Sequence, residues 1–264
     1  MEITAKMVND LREKTGAGMM DCKKALVEVG GDVEKAVDAL RKAGIAKAEK
    51  KADRATKDGR IAMAIQGGAA AMVEVHCETD FVSKNETFQA FVKGLVAKVL
   101  AMSGDGDVTE ALQQATKAEL QGLIATIGEN MQLRRAIRWT TPGQFACYDH
   151  QNLGKQCVLI DVEGEADAAL CADICMHIAA FKPNYVVATE IPAEIIAKER
   201  EIAAAQITGK PANMVENIVN GKINKWFTEV CLMKQPWMRD DKTCLEKVAP
   251  KLKVRRFVRW QLGG

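Results

Sequence analysis

The chain has 264 residues, 48% of them apolar, which is length and core material for two ordinary domains of a globular, soluble protein. Lysine and arginine number 37 against 35 acidic residues, and a net charge of +2 gives no general field for nucleic acid or an anionic membrane, so partners must be recognised locally. No run of about 18 apolar residues offers a membrane span, and with no C-x-x-C and a start, Met1-Glu2-Ile3-Thr4, of neither basic nor apolar leader character, the expected compartment is a reducing one.

Residues 1–45 predict a three-helix module. Thr4 caps a first helix bearing Met7, Val8 and Leu11 on one face, and Gly16 stops it. A second helix carries Cys22, Ala25, Leu26 and Val29 and ends at Gly30-Gly31. Asp32 caps a third with Val33, Ala36, Val37 and Leu40, for which Gly44 is the expected end. From residue 46 to 58 the composition turns to Lys, Ala, Glu and Asp, predicting a solvated helix extension and linker. Without aromatics or glycines between its basic residues, this segment is a poor nucleic-acid arm.

Two units of hairpin, helices and strand follow. Arg60 to Ile65, a Gly67-Gly68 turn and Met72 to Val75 predict the first hairpin. Helices are expected over Phe81 to Leu100 and Thr109 to Ile127. Gln144 to Tyr148 and Cys157 to Val162, around Asn152-Leu153-Gly154, predict the second hairpin, followed by a helix over Ala166 to Phe181. Each unit closes on a related octet. Gln132-Leu133-Arg134-Arg135-Ala136-Ile137-Arg138-Trp139 is echoed by Lys253-Val254-Arg255-Arg256-Phe257-Val258-Arg259-Trp260, a shared R-R-x-x-R-W frame.

The second unit has extra length. Residues 193–228 place Ile195, Ile196, Ile202, Ala205, Ile207, Met214, Ile218, Val219 and Ile223 at helical spacings, broken once at Thr208-Gly209-Lys210-Pro211. This reads as an antiparallel helical hairpin projecting from the core, with a pair of ordinary core helices as the other reading. The expected fold class is therefore α+β: an N-terminal three-helix, UBA-like module (1–45), a charged linker (46–58), and two repeated subdomains. These are 59–141, and 142–192 with 229–264. Each has a three-stranded antiparallel sheet with helices on one face, and the pair is expected to pack together.

Chemistry is sparsely signalled. There is no G-x-x-x-x-G-K-[ST] and no G-x-G-x-x-G, so the chain is not expected to bind nucleotide itself, and no cofactor is implied. Cys171, Cys175 and His177 invite a metal reading, yet no second pair completes four ligands, and Leu170, Ile174 and Ile178 between them favour core packing. None of the eight cysteines falls in a C-x-x-C, and no constellation with His76, His150 or His177 singles out a thiol nucleophile. Asp240-Asp241 read as solvated loop charge. The sharpest local signal is Cys77-Glu78-Thr79-Asp80-Phe81-Val82, where a strand gives way to a helix. By spacing alone it favours a helix cap followed by a core aromatic. The other reading is an exposed functional corner.

Four blocks in order, T-G-A-G-M-M-D-C-K-K-A-L (Thr15 to Leu26), C-E-T-D-F-V (Cys77 to Val82), I-G-E-N (Ile127 to Asn130) and M-H-I-A-A-F-K-P (Met176 to Pro183), closely resemble bacterial elongation factor Ts. Gly209-Lys210-Pro211 and Gln235-Pro236 add to the resemblance, which runs from the first helix to the final strand. It implies a guanine nucleotide exchange factor without covalent chemistry, whose partner in translation elongation is elongation factor Tu, GDP-bound or nucleotide-free. It implies no direct nucleic acid or membrane partner, and a helical hairpin that can self-associate. Carried over by position, Thr79, Asp80, Phe81 and Val82 fall on the segment that dislocates the partner's Mg²⁺. Arg12, Met19, Met20, Ile127, Gly128 and His150 match partner contacts, with His150 equally readable as a loop residue hydrogen-bonded in place.

On this resemblance Phe81 is expected to act as an apolar wedge, and Asp80 to disturb the octahedral surroundings of the partner's Mg²⁺, loosening GDP. Two departures stand out. Glu78 occupies a position where glutamine is common, a change expected to alter surface charge more than the wedge, and the sequence stops at Gly263-Gly264 where relatives often carry a further short helix. The rival readings are an adaptor using the three-helix module and a thiol-dependent enzyme, and neither explains four ordered blocks.

Overall fold

A computed structural model describes residues 3–165, 167–208 and 211–264. The chain divides into two compact units, the first holding Met1–Ala64, Ala71–Trp139 and Leu262–Gly264, the second Ile65–Ala70 and Thr140–Gln261. The mixture of helices and antiparallel sheet is the expected α+β class.

In the first unit, α1 (Ala5–Thr15), α2 (Met19–Glu28) and α3 (Val33–Glu49) bury Val8, Leu11, Cys22, Ala25, Leu26 and Ala36 against one another. The caps are those the sequence announces. Thr4 accepts from the Met7 amide, Asp32 accepts from the Lys35 amide, and Gly16 ends α1 at φ 65°. Gly44, however, does not stop α3, which continues to Glu49 and buries Ala48. Its role is steric: a Cβ there would stand 3.3 Å from that of Ala125, so glycine lets α3 lie close along α6 (Thr109–Ile127).

β1 (Asp58–Gln66) and β2 (Ala69–Cys77) form the expected hairpin. The helix expected over Phe81 to Leu100 is two helices, α4 (Asp80–Lys84) and α5 (Glu86–Ala101). The break falls at Asn85, which leaves the helical region and caps α5 by accepting from the Thr87 and Phe88 amides, a side-chain bond that competes with helix continuation. After α6 comes β4 (Met131–Thr140), and with a short strand β3 (Gly106–Asp107) ahead of α6 the sheet order is β1-β2-β4-β3. The first sheet thus has four strands rather than three. The extra edge strand, β3, is too short to carry an alternation signal and pairs only with Ile137 and Arg138. Val73, Val75, Phe88, Val92, Leu95 and Leu112 centre the core between this sheet and α5 and α6.

In the second unit β5 (Gln144–Asp149), β6 (Gln156–Gly164) and β9 (Leu252–Gln261) form an antiparallel sheet of order β5-β6-β9. Val158, Ile160 and Val162 pack against Ile174 and Ile178 of α7 (Ala168–Phe181). The expected start of α7 at Ala166 lies outside the described residues. The long insertion is α8 (Ala193–Ala205) and α9 (Ala212–Val230), paired around their own cluster of Ala203, Val219 and Ile223. Gly209-Lys210 of the expected break also lies outside the described residues. Asp240-Asp241 belong to a strand instead of a loop: β7 (Pro236–Trp237) and β8 (Asp240–Cys244) make a small hairpin ahead of α10 (Leu245–Val248). A turn between two such short strands is too brief for periodicity to reveal.

The octet repeat has a common structural meaning. In the first unit Glu74 on β2 is fully buried, with Arg135 Nε at 2.6 Å, Arg134 Nη1 at 3.3 Å and His76 Nε2 at 2.6 Å. Burial pushes its carboxyl up, but hydrogen bonds from His76, the Gly263 amide and Arg135 outweigh this and hold it below the usual range. In the second unit Asp161 on β6 is likewise fully buried, with Arg256 Nε at 3.0 Å and Arg255 Nε at 3.8 Å. The third arginines also correspond. Arg138 donates to the Leu100 carbonyl at the end of α5, and Arg259 to the Ala179 carbonyl at the end of α7, both at 3.4 Å, where cations complement a helix C-terminus. Trp139 and Trp260 are both buried.

Candidate functional site

The segment Cys77-Glu78-Thr79-Asp80-Phe81-Val82 turns the chain from β2 into α4. Thr79 is the N-cap, its Oγ1 accepting from the Val82 amide at 3.4 Å. Val82 and Ser83 face inward, and Ser83 Oγ donates to the Asp80 carbonyl at 2.9 Å. The ring between these anchored residues points the other way, since Phe81 is 81% exposed. A core aromatic, the reading that spacing alone favours, is therefore not what stands here. In an α4 of only five residues, the inward positions are taken by Val82 and Ser83, leaving Phe81 on the water side. Asp80 is exposed beside it, its Oδ2 2.7 Å from Lys84 Nζ, and that carboxylate raises the lysine above its usual range.

The corner is held from outside its own sequence neighbourhood. α6 ends at Gly128, whose φ of 93° only glycine adopts without strain, and the chain then presents Glu129 and Asn130 to the corner. Glu129 Oε1 accepts from Thr79 Oγ1 at 2.6 Å and its Oε2 from the Thr79 amide at 3.0 Å. Reciprocally, Glu78 Oε1 accepts from the Asn130 amide at 2.6 Å. Asn130 Nδ2 reaches the carbonyls of Ala52 and Arg54 at 3.1 and 2.8 Å, and Arg54 Nη1 lies 3.5 Å from Glu78. Lys51 Nζ donates to the Gly128 carbonyl at 2.7 Å, and partial burial lowers its pKa. Glu78 is thus a structural acceptor, not the surface charge that its side-chain type suggests, because the turn of the chain aims it at the Asn130 amide.

The structure brings Thr79, Asp80, Phe81 and Val82 together with Ile127 and Gly128, Ile127 being half-buried against the first unit's core. Arg12, Met19 and Met20 stand exposed on the three-helix module, and Val27 is exposed further along α2. His150 belongs to the second unit, exposed in the β5–β6 connection with its Nδ1 3.0 Å from the Tyr148 hydroxyl. Sequence reasoning missed Glu129, Asn130 and Arg54 as parts of the corner. The acid and amide of I-G-E-N were on view, but nothing local pairs them with a segment some 50 residues earlier.

The remaining chemical candidates pack as structure. His177 is buried between the rings of Phe181 and Trp237, with centroids at 4.6 and 5.1 Å. Its Nε2 lies 3.0 Å from Gln235 Oε1, and because the Gln235 amide nitrogen donates to two carbonyls, the imidazole carries the proton in this bond. Burial holds its pKa down. Cys171 and Cys175 lie in the second unit's apolar core, and burial pushes the thiols of Cys171, Cys175 and Cys231 up, opposite to the direction a nucleophile requires. Among the described residues no group of three or more His, Cys, Asp or Glu side chains is placed to hold a metal, and no helix is long and apolar enough to cross a membrane.

The model of the family described as Elongation factor TS matches residues 78–264, from within the exposed corner to the last residue. The proteins named Elongation factor Ts from Thioalkalivibrio sulfidiphilus and Xanthomonas oryzae pv. oryzae are each 45% identical to this chain, over all of it and 93% of their own length. The chain belongs to the elongation factor Ts family. The namesake from Syntrophotalea carbinolica is equally similar, at 45% identity over the whole chain and 94% of its own length. These elongation factor Ts relatives align with residues 1–77 as well, so the similarity takes in the three-helix module that the family model leaves out.

Proposed function

We propose that this chain is a guanine nucleotide exchange factor of the cytoplasm that binds elongation factor Tu, GDP-bound or nucleotide-free, and speeds GDP release during translation elongation. It performs no covalent chemistry and consumes no cofactor. The observation that carries the reading is the 81% exposure of Phe81 on a corner whose backbone is held at the Thr79 amide by Glu129 and at the Lys84 carbonyl by Gln89. An exposed aromatic on a rigid support is an anchor for a partner's pocket, since little conformational freedom is lost when it docks.

In this proposal Phe81 enters between elements of the partner as an apolar wedge, and Thr79, Asp80 and Val82 form the segment around it that dislocates the partner's Mg²⁺. That ion tolerates little departure from octahedral geometry, so disturbing its surroundings would loosen the partner's hold on GDP. Asp80 must exchange its Lys84 partner for groups of the nucleotide site, and because that pair is exposed it is readily given up. Arg12, Met19 and Met20 make a second contact on the partner, Ile127 and Gly128 extend the corner, and His150 adds one from the second unit. The hairpin of α8 and α9 carries exposed Ile195, Ile202 and Met214, through which two copies can self-associate.

By linkage, whatever factor this chain takes from GDP affinity, GDP takes from the affinity for this chain, with each tenfold worth about 1.4 kcal/mol. The decisive measurement is release of fluorescent GDP from purified elongation factor Tu. Substoichiometric chain should accelerate release through many turnovers. A release rate that stays the same at every chain concentration removes the proposal.

A further inference from the structure

We infer that Glu129 is a positioning residue for exchange: through its two bonds to Thr79 it sets the angle at which Phe81 leaves the molecular surface. The inference rests on the exchange reading above and adds to it a residue that touches neither partner nor nucleotide.

α4 is too short to hold its own direction, because a helix of five residues has barely more than one turn of hydrogen bonds to set against the entropy of ordering it. Its orientation must come from its ends. At the C-terminal end Asn85 turns the chain into α5, and Gln89 Nε2 reaches the Lys84 carbonyl at 3.2 Å. At the N-terminal end everything passes through Thr79. Its hydroxyl has one proton, and donation of that proton to Glu129 at 2.6 Å leaves a lone pair for the Val82 amide, so the carboxylate fixes the rotation in which the cap works. The second oxygen takes the Thr79 amide, which fixes the peptide plane from which α4 departs. A carboxylate is the one side-chain group that can accept both bonds and donate neither.

Glu78 and Asn130 cross-bond one position earlier and later, so the two segments are joined by three bonds over two consecutive residues each. This arrangement excludes a simple hinge at the corner. It also separates two jobs: Glu78 and Asn130 anchor the segments to each other and to residues 52–54, while Glu129 engages both the amide and the hydroxyl of the residue that caps the helix bearing Phe81.

Glu129→Gln tests this, because the amide keeps the size but sets an NH₂ group against one of Thr79's two donors. Hydrogen exchange on the full chain should show the amides of residues 80–84 exchanging faster in the variant, with β2 and α5 as protected as before. In the GDP-release assay Glu129→Gln should lower the acceleration about tenfold, the scale of a lost hydrogen bond to a charged group. The same substitution made on top of Phe81→Ala should lower it no further, because an absent ring cannot be misaimed. If Glu129→Gln slows release equally with and without the Phe81 ring, or leaves exchange at residues 80–84 unchanged, the positioning role is overturned. If the unaltered chain accelerates release and Glu129→Gln matches it, the exchange reading stands and this inference alone falls. If the unaltered chain does not accelerate release, both fall.

Discussion

Phe81 sets most of a phenyl ring in water next to two buried neighbours, Val82 and Ser83. Since the ring leaves no cavity behind it when removed, Phe81→Ala should change folding stability by less than about 0.5 kcal/mol, where truncating a core phenylalanine costs about 3 to 5 kcal/mol. The same variant should slow GDP release from elongation factor Tu by at least about tenfold, as expected for a buried aromatic anchor at an interface. Denaturant melts and the release assay, run on one preparation, separate these outcomes. A large loss of stability would mean that the ring has core partners after all.

His177 gives a second prediction at this scale. Its folded pKa is depressed by burial, so above the ordinary imidazole value of about 6.5 the group is neutral in both states and contributes no pH dependence. As pH falls below about 6.5 the unfolded chain takes up a proton that the folded chain refuses, and stability is lost until the folded group titrates as well. The ring's Nδ1 is buried without a partner among the described residues, so a phenyl ring fits the stack between Phe181 and Trp237. His177→Phe should flatten the fall in stability between about pH 6.5 and 5, measured as denaturant midpoint against pH. An unchanged slope would assign the acid sensitivity elsewhere.

Among the elements, the paired arginines of β4 and β9 are what the octet repeat encodes. Each pair meets one buried carboxylate on the neighbouring strand, Glu74 in one unit and Asp161 in the other. Removing either carboxylate takes several charged hydrogen bonds with it while leaving arginines that water partly reaches, so Glu74→Ala and Asp161→Ala should each cost about 2 kcal/mol. Thermal unfolding of the two variants checks the correspondence. If one is costly and the other is free, the repeat shares a sequence frame without sharing a function. The repeat was legible because its residues are contiguous within a strand. Its partners were not: Glu74 lies some 60 residues from Arg134, and Asp161 some 95 from Arg256.

Helix ends followed the same division. Thr4, Asp32 and Gly16 act within a few residues and were readable. Gly44 has the residue type of a stop but serves packing, because its reason lies in Ala125 of α6, across the packed pair of helices.

For the molecule as a whole, α8 and α9 hold a small apolar cluster of their own, with Ala203, Val219 and Ile223 at its centre. A hairpin with so limited a core should open independently of the sheets. Ile223→Ala, removing a buried side chain there, should cost the hairpin about 2 to 4 kcal/mol and raise amide exchange across residues 193–205 and 212–230. Protection in β2 and β6 should remain as it was. Loss of protection in all three regions together would make the hairpin part of the cooperative core.

The amino-acid sequence determined the helix caps, the two strand hairpins and the repeated octet, because each depends on side chains acting over one turn or one strand. It also carried the family resemblance, in blocks that are themselves local. Tertiary structure alone decided that Phe81 faces water, that Glu78 and Glu129 are acceptors in a clamp, and that His177 sits in an aromatic stack. Burial and hydrogen-bond partnership are properties of what arrives from elsewhere in the chain, and no residue specifies by its own type which distant element will cover it.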